Sequence, residues 1–473
     1  MFFSFFYITF AKHLSKKMKV EKMKKIFVIF MLAIFCSSAL RTAAQTNKWR
    51  DIYTVKKKDT IYGIAKTYGI SIDELKAANP EMKAEGYNLK KGDFVFIPYA
   101  KAVTPSPANT AQTTTPPADD LRNRTIRIGV MLPLHNQNGD GLRMIEYYRG
   151  MIMACDSLKR QGISTDIHAW NVPVDADIRQ TLLEKEASKC DIIFGPLYTT
   201  QVKALANFCQ TNNIKMVIPF SINGNDVATY KQIYQVYQSP EAQDETAVNV
   251  FLQRFQGYHP VFVDCNDSTS RKGTFTAALR KRLEEKKIKY NLTSLKTPDE
   301  DFLKAFSTKE PNIIILNTAR SPELNSTYVR LNKITQVKPD LKLAFFGYTE
   351  WLMYAKVYKD YYHRYETYIP AVSWYNEQSA RTKLFEHDFK TTFDADMQQA
   401  LPRFAITGFD QTQFFVRGLH EHGRAFAGTR TESKYVPLQT PLNFRQVGTG
   451  GYQNTTFMLV HYKTGNGIET ITY

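Results

Sequence analysis

Tyr53-Thr-Val-Lys-Lys-Lys-Asp-Thr-Ile-Tyr-Gly-Ile-Ala-Lys-Thr-Tyr-Gly-Ile-Ser-Ile-Asp-Glu-Leu-Lys-Ala-Ala-Asn-Pro80, continued by Leu89-Lys-Lys-Gly-Asp-Phe-Val-Phe-Ile-Pro98, reads as a complete small fold. Tyr53-Thr54-Val55 is a short β-rich run. Asp59 is placed to cap a helix over residues 60–68, in which Ile61, Ile64, Ala65 and Tyr68 share one face. Gly69 ends that helix in the conformation glycine adopts most easily. Ser71 and Glu74 have the spacing of a capping box for a second helix through Ala78, which Asn79-Pro80 stops. Residues 94–97 form a closing strand. The expected order over residues 51–98 is β-α-α-β.

Upstream, Lys22, Lys24 and Lys25 precede an apolar run over residues 26–40, followed by Arg41-Thr-Ala-Ala44. This is the pattern of a secretory signal cleaved after Ala44, giving a segment 1–44. The apolar run is shorter than the ~20 residues that span a bilayer. The alternatives are an uncleaved anchor, and translation starting at Met18 or Met23. Bulky Phe35 before Cys36 argues against lipidation there. Downstream, residues 99–124 carry Pro105, Pro107, Pro116 and Pro117 among small polar residues, as a solvated linker does.

The whole chain has 473 residues and a net charge of +17. Of that charge, +7 lies in residues 1–44, which leaves +10 spread over the remainder. No basic stripe interleaved with aromatics is present, so nucleic acid is not an expected partner. HExxH, GxSxG and GxxxxGK[ST] are missing, and the two histidines of His420-Glu-His422 diverge on a helix. The expectation is a protein without catalysis, metal or cofactor. Cys155, Cys190, Cys209 and Cys265 allow three pairings, a Cys190–Cys209 bridge among them, or stand as buried apolar residues.

Residues 125–473 alternate short apolar runs with longer amphipathic ones. Strands are expected at 126–131, 166–170, 192–195, 216–219, 260–264, 312–316 and 342–347. Helices are expected at 142–159, 178–189, 200–211, 242–256, 274–286 and 324–334. This is the pattern of parallel sheets wrapped by helices, and the length fits two lobes. Ligands of such sheets bind at the carboxyl ends of strands, here Leu134, Tyr198-Thr199-Thr200, Phe220-Ser221 with Asn223, Arg320, and Tyr348 with Glu350. The aromatic stretch from Trp351 to Tyr375 is either a partner surface or core.

Two resemblances follow from these residues. Tyr53-Thr54-Val55, Asp59-Thr60, Ile64-Ala65, Tyr68-Gly69, Leu75, Asn79-Pro80, Leu89, Gly92 and Ile97-Pro98 make the stretch similar to LysM domains. That resemblance implies binding to the N-acetylglucosamine-containing glycan of peptidoglycan or chitin. The implied groove has Lys58, Asp59, Thr60, Ile61 and Tyr62 on one wall and Asn79, Pro80, Glu81 and Met82 on the other, with Lys58 standing where the family usually has glycine. Asp191-Ile-Ile-Phe-Gly-Pro-Leu, Ile214 to Pro219, Gly347-Tyr348 and Gly408-Phe-Asp410 make the body resemble type 1 periplasmic binding proteins, two-lobed clamshells that include branched-chain amino acid receptors. Hydroxyls at Thr199, Thr200 and Ser221 and a carboxylate at Glu350 would then grip an amino acid. Arg320 would stand where a ring stacks, and Phe220 and Ile222 are bulkier than usual. Members of that superfamily also activate peptidoglycan synthases. The expected partners are therefore peptidoglycan with either a small ligand or a cell-wall synthase, in the periplasm or envelope. A wall-anchored transport receptor for amino acids or small peptides is the alternative.

Overall fold

The computed structural model describes residues 51–57, 59–79, 82, 87–98, 121–220 and 223–473. The signal expected over residues 1–44, most of the linker expected over residues 99–124, and Lys58, Pro80, Glu81, Ser221 and Ile222 lie outside the described residues.

The N-terminal module contains β1 (Asp51–Thr54), α1 (Ile61–Tyr68), α2 (Ile72–Ala78) and β2 (Phe94–Ile97), with β1 and β2 antiparallel. Val55, Ile64, Ala65, Ile70, Leu75, Met82, Val95 and Ile97 form its core. The capping box is made, with Ser71 Oγ accepting from Glu74 N at 3.1 Å and Ser71 N donating to Glu74 Oε2 at 2.8 Å. Gly69 closes α1 at φ +66°. One expectation is corrected: Thr60, not Asp59, caps α1, its Oγ1 accepting from Gly63 N at 3.0 Å. Asp59 is drawn away by Tyr53 and Lys56. Ala78, Phe94 and Phe96 pack against the core of the first lobe of the body.

The body holds two seven-stranded sheets. The first uses β3 (Ile126–Leu132), β4 (Thr165–Asn171), β5 (Ile192–Phe194), β6 (Lys215–Ile218) and β7 (Ile233–Gln235). The second uses β8 (His259–Asp264), β9 (Asn291–Ser294), β10 (Asn312–Leu316), β11 (Leu343–Phe346) and β12 (Thr367–Ala371). Each set of five is parallel. The hairpin β13 (Phe444–Gln446)–β14 (Tyr452–Asn454) completes lobe 1, and β15 (Met458–Tyr462)–β16 (Ile468–Thr472) completes lobe 2. Strand β10 is buried throughout, as a central parallel strand covered on both faces must be.

The helices of the body are α3 (Gly139–Lys159), α4 (Ile178–Leu182), α5 (Thr199–Thr211), α6 (Pro240–Arg254), α7 (Gly273–Glu285), α8 (Asp299–Lys304), α9 (Ser321–Val337), α10 (Ala355–Arg364), α11 (Ala380–Phe393), α12 (Phe404–His422) and α13 (Arg430–Ser433). The single helix expected over 178–189 is instead α4 and a separate 3₁₀ turn at Ala187–Lys189. Its apolar stripe runs out at Leu182, and Leu183 faces solvent. Helices α3 and α12 cross backbone to backbone. A Cβ at Gly150 would sit 1.8 Å from Ala405 O, and one at Gly408 would sit 2.0 Å from Tyr147 O, so glycine is needed at both places.

The chain passes between the lobes three times, over residues 236–239, 372–379 and 455–457. Two of the crossings are tied to lobe 1: Gln238 Nε2 donates to Asn454 O at 3.1 Å, and Trp374 N donates to Gln439 O at 3.0 Å. The aromatic stretch resolves as core rather than partner surface, because Trp351, Tyr358, Tyr362, Tyr365 and Tyr368 are all buried in lobe 2. The four cysteines of the body are free and buried, so no disulfide joins Cys190 and Cys209. Burial pushes the thiols of Cys155 and Cys265 up to about 12.

Candidate glycan and ligand sites

In the N-terminal module, the start of α1 presents Thr60 and Tyr62 to solvent, and Tyr62 is 62% exposed, the most exposed large apolar side chain among the module's described residues. Ile61 is half-buried against the module core. Asp59 Oδ2 accepts from Lys56 N and from Tyr53 Oη, both at 2.7 Å. Those two donors hold the carboxyl below its ordinary range, the backbone N–H first. Burial, and then the bond to Asp59, push the Tyr53 hydroxyl up to about 12. Asp59 therefore ties the loop before α1 to β1.

On the other expected wall, Asn79 and Met82 are turned inward. Asn79 is fully buried. Its Nδ2 donates to Leu75 O and Phe96 O, both at 2.8 Å, and its Oδ1 accepts from Phe96 N at 2.7 Å. The side chain stands in for a strand neighbour to β2, so its polar atoms are committed internally. Met82 belongs to the module core.

The strand ends of lobe 1 are dominated by rings. Phe220, after β6, lies 5.4 Å from Tyr147, 5.6 Å from Phe404 and 6.4 Å from Tyr237 between ring centroids. Tyr147 donates to Gln411 Oε1 at 2.7 Å. Leu134 is buried, and its N–H donates to Asn171 Oδ1 at 2.8 Å. Tyr198 donates to Asp140 Oδ2 at 3.3 Å, and burial raises its hydroxyl. Thr199, Thr200 and Asn223 are exposed.

Lobe 2 differs. A cavity of about 90 Å³ opens at the ends of β11 and β12, lined by residues of lobe 2 and of two crossings, among them Gln243, Asp244, Lys272, Tyr348 and Thr349. Tyr348 is buried and donates to Leu316 O. Lys272 Nζ sits 4.9 Å from the Tyr348 ring centroid and 2.8 Å from Glu350 Oε1. Burial raises the Asp244 carboxyl against the pull of Lys272. Arg320 belongs to another network, 3.4 Å from Asp267 Oδ1. There Thr269 and Thr318 also donate to Asp267, and its carboxyl is held down to about 2. Tyr348 and Glu350 are thus brought together around Lys272, while Arg320 is set apart. Lys272, Asp244 and Gln243 carry no sequence signal of their own, since they arrive from α6 and from the start of α7.

A LysM family model matches residues 53–98. Residues 53–98 are a LysM domain. No curated protein matches the sequence. Among solved structures, a putative branched-chain amino acid ABC transporter protein from Rhodospirillum rubrum is 14% identical over 74% of this chain and 100% of its own, with a TM-score of 0.51. The branched-chain amino acid transporter substrate-binding protein of Streptococcus pneumoniae, solved with isoleucine, is 13% identical over 74% and 100%, with a TM-score of 0.37. A solute-binding protein of R. palustris, solved with 4-hydroxybenzoate, is 12% identical over 74% and 97%, with a TM-score of 0.40. At such identities the likeness speaks to fold. Behind its LysM domain the chain carries a mixed α/β body with two mostly parallel sheets, the two-lobed fold of type 1 periplasmic binding proteins. Among the described residues, no group of three His, Cys, Asp or Glu side chains is placed to hold a metal, and no helix is long and apolar enough to cross a membrane.

Proposed function

We propose that this is a non-catalytic envelope protein that binds peptidoglycan glycan through its LysM domain and uses the clamshell body to sense a small ligand or regulate cell-wall machinery. The observation that carries the reading is the complete βααβ module matched to the LysM family, joined to a bilobed binding fold. In this reading Thr60 and exposed Tyr62, with Lys58, Pro80 and Glu81, meet the sugar. Asp59, Ile61, Asn79 and Met82 hold the walls in shape. Export by the segment 1–44 would bring the module to the wall. Co-sedimentation of the full chain with insoluble peptidoglycan, compared with a variant lacking residues 45–100, tests it. The account expects the deletion to abolish binding, and retained binding contradicts it.

For the body, regulation is favoured over solute capture by the lobe 2 cavity, which at about 90 Å³ falls well short of the ~300 Å³ at the low end of small-molecule sites. The rings at Phe220 fill the facing edge of lobe 1. The transport-receptor reading rests on the Lys272–Glu350 pair, two opposite charges suited to an amino acid's carboxylate and amine. A thermal-shift screen of amino acids and muropeptides separates the readings, because a bound ligand raises the melting temperature. Cross-linking in cells tests for a synthase partner.

A further inference from the structure

A second cavity, of about 440 Å³, lies at the crossings and shares no lining residue with the lobe 2 cavity. Its volume is that of an ordinary small-molecule site. Phe457 lines the smaller cavity and Met458 the larger. Successive residues of an extended segment point to opposite faces, so the two cavities flank this crossing on opposite sides. The walls of the larger one come from both lobes: Thr440 in a lobe 1 segment, Met458 and Thr472 in lobe 2, and Trp374 from a crossing.

This cavity is built in advance. Asp410 is fully buried on α12 and accepts from Tyr435 Oη at 2.7 Å and from the N–H groups of Leu438, Gln439 and Thr440 at 2.8 Å each. Those four bonds fix the segment that forms one wall. The Arg430 guanidinium, exposed at the rim, has no hydrogen-bond or ion-pair partner among the described residues. Arg381 adds a second positive charge, donating to Val436 O at 2.8 Å with its other N–H groups available. No carboxylate lines the cavity.

We propose that this hinge cavity binds a small organic carboxylate. Arg381 and Arg430 hold the carboxylate, and Trp374 and Met458 receive the apolar part. Because the walls belong to both lobes, an occupied cavity fixes the angle between them. The site is independent of whatever the cleft takes.

The test titrates the full chain with 3-phenylpropanoate, dialanine and N-acetylmuramic acid, each against its carboxamide, by calorimetry and tryptophan fluorescence. At least one carboxylate binds, and its amide binds about tenfold more weakly or worse. Arg430→Ala weakens binding about tenfold, and the cleft variant Glu350→Gln leaves it unchanged. Small-angle scattering then shows a change in lobe angle on binding that Arg430→Ala removes at the same ligand concentration. The site is overturned if none of the three carboxylates binds, or if binding survives Arg381→Ala combined with Arg430→Ala. Binding without any change in scattering overturns the control of lobe angle.

Discussion

Lobe 1 and lobe 2 share their wiring. In each, five parallel strands run in the same relative order, β4-β3-β5-β6-β7 and β9-β8-β10-β11-β12, and a C-terminal hairpin extends the same edge. The hairpins dock differently, β14 parallel to β7 but β15 antiparallel to β12, because one short crossing leads from the last strand of lobe 1 into lobe 2. The strand ends differ more. Lobe 1 finishes β6 with Pro219-Phe220 and closes its edge with rings, whereas lobe 2 finishes β11 with Gly347-Tyr348 and keeps a polar cavity beside Lys272. Topology decides where a ligand can sit. The residue that follows each strand decides whether there is room for one.

The comparison can be broken most forcefully at Asp410. Asp410→Ala strands four donors, three of them buried, and is expected to cost about 4 kcal/mol or more. Hydrogen exchange is expected to show protection lost over residues 435–440 and α12 while β10 and β11 keep theirs. Equal loss in both lobes would mean that they fold as one cooperative unit. The same residue gives a pH signature. Burial pushes its carboxyl from 3.8 up to about 6, against the four donors that oppose the shift. The folded state then holds the proton more tightly than the unfolded state, so this group's contribution falls as pH rises from about 4 to about 6 and is level above that. Denaturation midpoints across this window are expected to lose that component in Asp410→Asn, and an unchanged profile would exclude Asp410 as its source.

Phe220→Ala comes next. The ring is half-buried, so a cost of about 2 kcal/mol is expected, below that of a fully buried phenylalanine. The space opened between Tyr147 and Tyr237 is expected to make lobe 1 more like lobe 2, seen as a new thermal shift with apolar amino acids. A variant as stable as the parent would mean that the ring cluster does not hold this edge. The smallest effect belongs to the Lys272–Glu350 pair. Both groups are about a third exposed, so Glu350→Gln is expected to change stability by less than about 1 kcal/mol. Any ligand bound at the lobe 2 edge should nevertheless weaken. A large stability loss with unaltered ligand response would make the pair a structural brace.

Much of this was legible in the chain. The Ser71–Glu74 box and Gly69 are local chemistry, so the module's helices follow from adjacent residues. Asp59 and Thr60 are both good caps, and the bonds Asp59 accepts from Lys56 N and the Tyr53 hydroxyl decide between them. Strand β10 announces itself as Asn312-Ile-Ile-Ile-Leu316. Beyond β11 no helix or strand was legible. Helix α12 is buried on nearly every face and buries the polar run Asp410 to Gln413, and β13 and β14 are three residues each and largely polar. For the sites, Tyr348 and Glu350 follow from strand-end reasoning, but Lys272 and Asp244 reach the same place from helices far away in sequence. Asn79 and Met82 lie where a groove wall is expected, yet they face inward, because a small module needs them for its core.

The central claim is that the LysM domain is the address that fixes this protein to glycan, and titration of the full chain with an N-acetylglucosamine tetramer tests it most directly. The account predicts saturable binding, weakened about tenfold by Tyr62→Ala through loss of its exposed ring and unchanged by Glu350→Gln. No binding, or binding that Tyr62→Ala leaves intact and Glu350→Gln abolishes, would contradict it.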